Sequence, residues 1–168
     1  DEGGVLPPGC ATSGNGNNSL HITSAANPTG GAIYDTGGAC GIGPCPETNV
    51  RAESPFISTV GFNNLTLSFD FTSIGDALLD NASVWYNDGT GWQQLAGSIK
   101  SLTCAPGQGR WSTFGSILPA SCSNIPNLQI GFNWTNNDDG MGAAPSIALN
   151  NVMVTAQVRE RVGVKSGG

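Results

Sequence analysis

The run LTLSFDF, residues 65 to 71, decides the fold class. Leu65, Leu67, Phe69 and Phe71 alternate with Thr66, Ser68 and Asp70, a period of two that puts apolar side chains on one face of an extended strand and polar ones on the other. A strand with one apolar face needs a second layer to cover it. The same period returns downstream in LQIGFNW, where Leu128, Ile130, Phe132 and Trp134 form the inward set and Gln129, Gly131 and Asn133 the outward one. In IALNNVMV the inward set passes from Ile147 and Leu149 to Val152 and Val154 across Asn150 and Asn151. One extra residue therefore interrupts the register, as a β-bulge does.

Between these strands, ASVWYNDGTGWQQL reads as two strands joined at Asn87, Asp88 and Gly89, residue types that supply the positive φ angles of a tight hairpin. Upstream, SLHIT (residues 19 to 23) and GAIYD (residues 31 to 35) are short strands among Gly, Asn, Pro and Ser. No stretch holds a 3.6-residue period or a capped helical run. Only 11% of the 168 residues are charged and 25 are glycine, a mix that favours short strands and tight turns over surface helices. The expectation is an all-β, two-sheet antiparallel sandwich in one domain. Residues 1 to 14 read as an N-terminal connection, 15 to 156 as the sandwich and 157 to 168 as a tail or linker.

The net charge is −6 with six Lys and Arg scattered along the chain, which leaves no basic patch for nucleic acid or anionic lipid. No apolar run approaches the roughly 20 residues of a membrane-spanning helix. The opening DEGGVLPPGC has neither a basic n-region nor an apolar h-region, so an export signal is expected to lie upstream or to have been removed. Of five cysteines, Cys40 with Cys45 and Cys104 with Cys122 sit in loop-like sequence. Zinc prefers CxxC spacing or histidine partners, and the chain has one histidine. Two disulfides, Cys40–Cys45 and Cys104–Cys122, are the expectation, and with them an extracellular or cell-surface location. Cys10 is left over, to pair with a missing segment or another chain, to stay a thiol, or to belong to a different connectivity altogether.

The order of elements, ESPFI, LTLSFDF, VWYNDGTGW, WSTFGSILP and LQIGFNWTNNDDGMGAAPSIALNNVMV, resembles the MAM-like, jelly-roll modules of large secreted and cell-surface proteins. It is especially similar to those of bacterial proteins exported by type IX secretion. The resemblance runs over residues 15 to 156, and most of the residues that carry it are core and turn positions. It implies a jelly-roll sandwich that binds glycans or proteins, or acts as a spacer. Such modules commonly carry Asp where this chain has Asn150, a departure that weakens an inherited calcium site, although an amide oxygen still coordinates calcium.

Three sets of side chains are candidates for function. Asp138 and Asp139, with Asn136 and Asn137 around Gly140, offer the hard oxygen ligands of calcium, as do Asp70, Asp76 and Asp80 with Asn81. The same residue types also build turns, and the spacing is not that of an EF-hand. Trp85, Trp92 and Trp111 could stack on sugar rings. Trp85 points away from Val84 and Tyr86, whereas Trp134 belongs to the inward set. For catalysis, His21 lacks a glycine-elbow serine and an acid partner. Glu47 and Glu53, the one pair with a glycosidase-like look, flank a short polar segment. Four Asn-x-Ser/Thr sequons, at Asn17, Asn64, Asn81 and Asn133, are about what chance provides in so Asn-rich a chain.

Three functions compete on this reading. The first is a non-catalytic module for adhesion or for glycan or protein binding at a cell surface, with no cofactor required and calcium the ion its oxygens would take. The second is a spacer or self-assembling subunit whose partners are neighbouring modules or copies of itself. A hydrolase domain has the least support.

Overall fold

The computed structural model describes residues 19–22, 47–75, 80–105, 108–136 and 146–159. Ten strands run in chain order: β1 (Leu20–Ile22), β2 (Thr48–Glu53), β3 (Phe62–Thr72), β4 (Asn81–Asn87), β5 (Trp92–Ile99), β6 (Thr103–Ala105), β7 (Gln108–Gly109), β8 (Ser112–Ile117), β9 (Gln129–Asn136) and β10 (Ile147–Val158). A single 3-10 turn, Ala120–Cys122, is the sole helical element among the described residues, and no helix there is long and apolar enough to cross a membrane.

Eight of the strands form two antiparallel four-stranded sheets, ordered β1-β10-β3-β8 and β2-β9-β4-β5. The pairings nest: the first strand lies beside the last, the second beside the next to last, and the innermost pair, β4 and β5, is a hairpin. That winding is the jelly roll. The remaining two strands, β6 and β7, make a small hairpin on the way to β8.

The predicted inward sets fill the space between the sheets. Leu65, Leu67, Phe69 and Phe71 from β3 meet Ile130, Phe132 and Trp134 from β9, all buried, with Val84, Ile147, Leu149 and Leu128. Phe69 is the hub. Its ring stacks on Phe114 of the neighbouring β8 at 4.8 Å and meets Phe132 of the opposite sheet edge-on at 4.9 Å.

The bulge falls where the sequence places it. Asn150 pairs with Asp70 and Met153 with Ser68, so three steps along β10 match two along β3. Asn151 takes the left-handed backbone this requires, with φ 52°. Asp70 holds the bulge in place by accepting hydrogen bonds from Asn151 Nδ2 and Thr113 Oγ1, both at 2.8 Å. Beyond it Val154 packs on the core, as expected, but Val152 does not: it is 47% exposed, because it lies within the bulge, between the paired positions Asn150 and Met153.

Two other expectations need correction. The strand expected at ESPFI lies earlier, in TNVRAE, and Ile57 makes only an isolated bridge to Leu128. The alternation of Val50 and Ala52 with Asn49, Arg51 and Glu53 was too weakly apolar to mark β2 in the sequence. The Cys104–Cys122 bridge does not form, since Cys122 is a free, fully buried thiol. All of β8, roughly 20 Å of strand, separates the two cysteines. Cys104 lies near the Ser73 end of β3, where Ser101 N bonds Ser73 O, and Cys122 near the other end, where Leu118 N bonds Leu65 O. A disulfide needs Cα atoms within about 7 Å. Cys104 is nonetheless disulfide-bonded; Cys10, and with it the expected Cys40–Cys45 pair, lies outside the described residues. Burial pushes the Cys122 thiol up to about 11, helped by the charge of Asp88 and opposed by a hydrogen bond from Ser121. A thiol so protonated is neither a nucleophile nor a ready metal ligand.

Candidate binding face on the outer sheet surface

The hairpin between β4 and β5 sets the edge of the site. Asn87 Oδ1 accepts from the N–H groups of Gly89 and Gly91 at 2.9 and 3.2 Å, and both glycines have positive φ, 96° and 125°. Asp88 accepts from the hydroxyl of Thr90 at 2.6 Å. Hydrogen bonds from Ser121 and then Thr90 hold its carboxyl below the usual aspartate range. This clasp fixes Trp92, the first residue of β5 and the partner of Asn87.

Because the even-numbered residues of β9 face the core, the odd-numbered ones build the outer surface in rows across the sheet. Asn49, Thr135 and Asn81 form one row, Arg51, Asn133 and Ser83 the next, and Glu53, Gly131, Trp85 and Gln94 the third. Gln129, Asn87 and Trp92 complete the face. The Arg51 guanidinium lies over the Trp92 ring at 4.1 Å and 5.7 Å from the Trp85 ring, cation–π distances in both cases. Glu53 accepts from Arg51 Nε at 3.0 Å, so the charge of Arg51 is matched locally. Trp85 donates its indole N–H to Ser83 at 2.8 Å, and Asn133 donates to Asn49 at 3.0 Å.

Gly131 makes this cluster fit. A Cβ there would lie 2.8 Å from Trp92 Cζ3 and 2.8 Å from Arg51 Cδ, closer than carbon atoms approach. The absence of a side chain at the centre of the sheet lets the indole and the arginine stem lie down on the backbone. The result is a charge-balanced face of half-exposed aromatic rings bordered by Asn, Gln and Ser.

The structure brings together Trp85 and Trp92 of the predicted aromatic set. It does not bring Trp111 to them, because Trp111 precedes β8 in the other sheet. Arg51 was missed in the sequence, where nothing marks a lone arginine in a polar hexapeptide as the partner of two distant tryptophans.

The calcium candidates do not assemble among the described residues. Asp70 is engaged at the bulge, Asn150 Oδ1 accepts from Asn151 N at 2.8 Å, and Asp80 is buried just before β4. No group of three metal-ligating side chains occurs among the described residues; Asp76, Asp138 and Asp139 lie outside them. Glu47 and Glu53 stand at the two ends of β2, roughly 20 Å apart along one strand and far beyond the separation of a glycosidase pair. His21 Nε2 is 2.8 Å from Ser19 Oγ on the short edge strand β1. No model of a known protein family matches the chain, and no curated protein is similar to it in sequence.

Proposed function

We propose that this chain is a non-catalytic, extracellular β-sandwich module that binds a glycan on the outer face of the β2-β9-β4-β5 sheet. The observation that carries this reading is the Arg51, Trp85 and Trp92 cluster seated over Gly131. Sugar rings present C–H faces that pack on indole and hydroxyls that need amide partners. The face offers both, with Asn49, Gln94 and Gln129 around the rings. Since Glu53 neutralises Arg51, a neutral oligosaccharide suits it better than an acidic one. The Cys104 disulfide supports an oxidising, exported location.

Affinity electrophoresis through gels containing neutral polysaccharides tests the proposal. At least one such polymer is expected to retard the protein, and Trp92→Ala to weaken that retention tenfold or more, about 1.4 kcal/mol. Retention by none, or equal retention of the variant, would remove the reading.

One observation favours a second reading, self-assembly. Strand β1 covers only Ile147–Leu149 of β10, and beyond it β10 has β3 on one side and no described strand on the other. Its exposed Val152, Met153 and Val158, at 47, 54 and 74%, carry no charge of the kind that usually guards an edge. Under that reading light scattering finds concentration-dependent oligomers that Val152→Lys disperses; a monomer at every concentration excludes it.

A further inference from the structure

A groove lies around the 3-10 turn, lined by none of the residues of the aromatic face. It has a volume of about 450 Å³ and is lined by Asn63 and Asn64 at the start of β3, Ile117 and Leu118 after β8, Ala120, Ser123 and Asn124 around the 3-10 turn, and Arg159 after β10. That volume is in the range of small-ligand sites.

The local backbone explains why polar groups collect there. Asn64 and Asn124 hold left-handed conformations, φ 50° and 59°, and Gly61 beside them has φ 84°. Few non-glycine residues other than asparagine adopt that region. Asn124 Oδ1 accepts from Gly61 N at 3.0 Å, and Arg159 N donates to Gly61 O at 2.9 Å, which ties three segments into one rim. Asn64 Nδ2 donates to Gln157 Oε1 at 2.7 Å.

These bonds leave the complementary groups available. Asn124 keeps its amide donors and Asn64 its amide oxygen, while Ser123 adds a hydroxyl. The Asn63 amide and the Arg159 guanidinium have no partner among the described residues, and the ion pair found there is Arg51 with Glu53. An arginine fork recognises a carboxylate with two parallel hydrogen bonds. Side-chain amides donate to and accept from sugar hydroxyls, and Leu118 with the exposed Ile117 supplies an apolar wall.

We infer that this groove binds an acidic sugar, a hexuronic-acid residue whose carboxylate meets Arg159 and whose hydroxyls meet Asn63, Asn64, Ser123 and Asn124. Its lining shares no residue with the aromatic face.

Titration of the whole chain with D-glucuronate, followed by amide chemical shifts, tests the inference, with D-glucose and acetate as controls. Shifts are expected to centre on residues 63, 64, 123, 124 and 159, with glucose and acetate each binding at least tenfold more weakly than glucuronate. Arg159→Gln, at an exposed position, should keep the melting temperature and lose glucuronate binding at least tenfold. Trp92→Ala should leave glucuronate binding intact, which keeps this outcome distinct from that of the outer face. Shifts elsewhere, acetate binding as well as glucuronate, or undiminished binding by Arg159→Gln would each overturn the assignment.

Discussion

Replacing Phe69 by Ala is expected to cost about 3–5 kcal/mol of folding stability. The ring is 1% exposed and touches both sheets: it stacks on Phe114 beside it, meets Phe71 edge-on at 5.9 Å and reaches Phe132 across the interior. Truncation removes the transfer free energy of the ring and leaves a cavity. The surrounding strands are held by ladders on both sides of β3 and cannot collapse into it. Thr66→Ala, on the outer face of the same strand, should stay within about 0.5 kcal/mol. Chemical denaturation of the two variants checks the pair, and similar losses would mean that β3 is covered on both faces.

Gly75→Ala is the second large effect, and it works by overfilling. A Cβ at residue 75 would lie 2.5 Å from Trp134 Cη2 and 2.7 Å from the carbonyl oxygen of Asp80. Neither neighbour can step aside easily. Trp134 and Asp80 are fully buried, and Lys100 Nζ donates to the carbonyls of both Gly75 and Asp80, which fixes the approach of the two segments. Overpacking at a site of this kind costs about 1–3 kcal/mol, and contact with backbone places it toward the upper end. The contrasting substitution is Gly115→Ala in β8, where nothing lies within 4 Å of the added carbon. It should leave stability unchanged or raise it by less than about 1 kcal/mol. Thermal unfolding of both variants decides the matter; an unperturbed Gly75→Ala would mean that these contacts are looser than described.

How far the sequence reveals this molecule depends on whether a feature is local. Strands β3 and β9 were legible because they carry four and three large apolar residues at strict alternation. The bulge at Asn150 and Asn151 was legible because it shifts that alternation. The β4–β5 hairpin announced itself through Asn87, Asp88 and Gly89. By contrast, the apolar residues on the inner face of β2 are only Val50 and Ala52, and its place in the sheet comes from pairing with β9, far along the chain, from Thr48↔Asn136 to Glu53↔Gly131. The two cysteines looked like a loop closure because nothing in the sequence shows that the segment between them crosses the whole sandwich as β8.

The candidate site shows the same division. Alternation placed Trp85 on the outer face, yet Trp92, Arg51 and Gly131 come to it from three different strands. Their meeting is a matter of register: Gly131 pairs with both Trp85 and Glu53, and Arg51 stands one row away. Trp111 has the same composition signal as Trp92 and lies in the wrong sheet. An isolated tryptophan in a sequence does not state which layer it will join.

Gly131→Ala, measured for stability and for neutral-polysaccharide binding in one preparation, tests whether the outer face built over Gly131 is a glycan platform. The added methyl must displace Trp92 and Arg51, both of which can swing outwards into solvent. The expected result is a folded protein whose retention by a neutral polysaccharide falls at least tenfold, matching Trp92→Ala. Full retention of binding by a folded Gly131→Ala protein would contradict it.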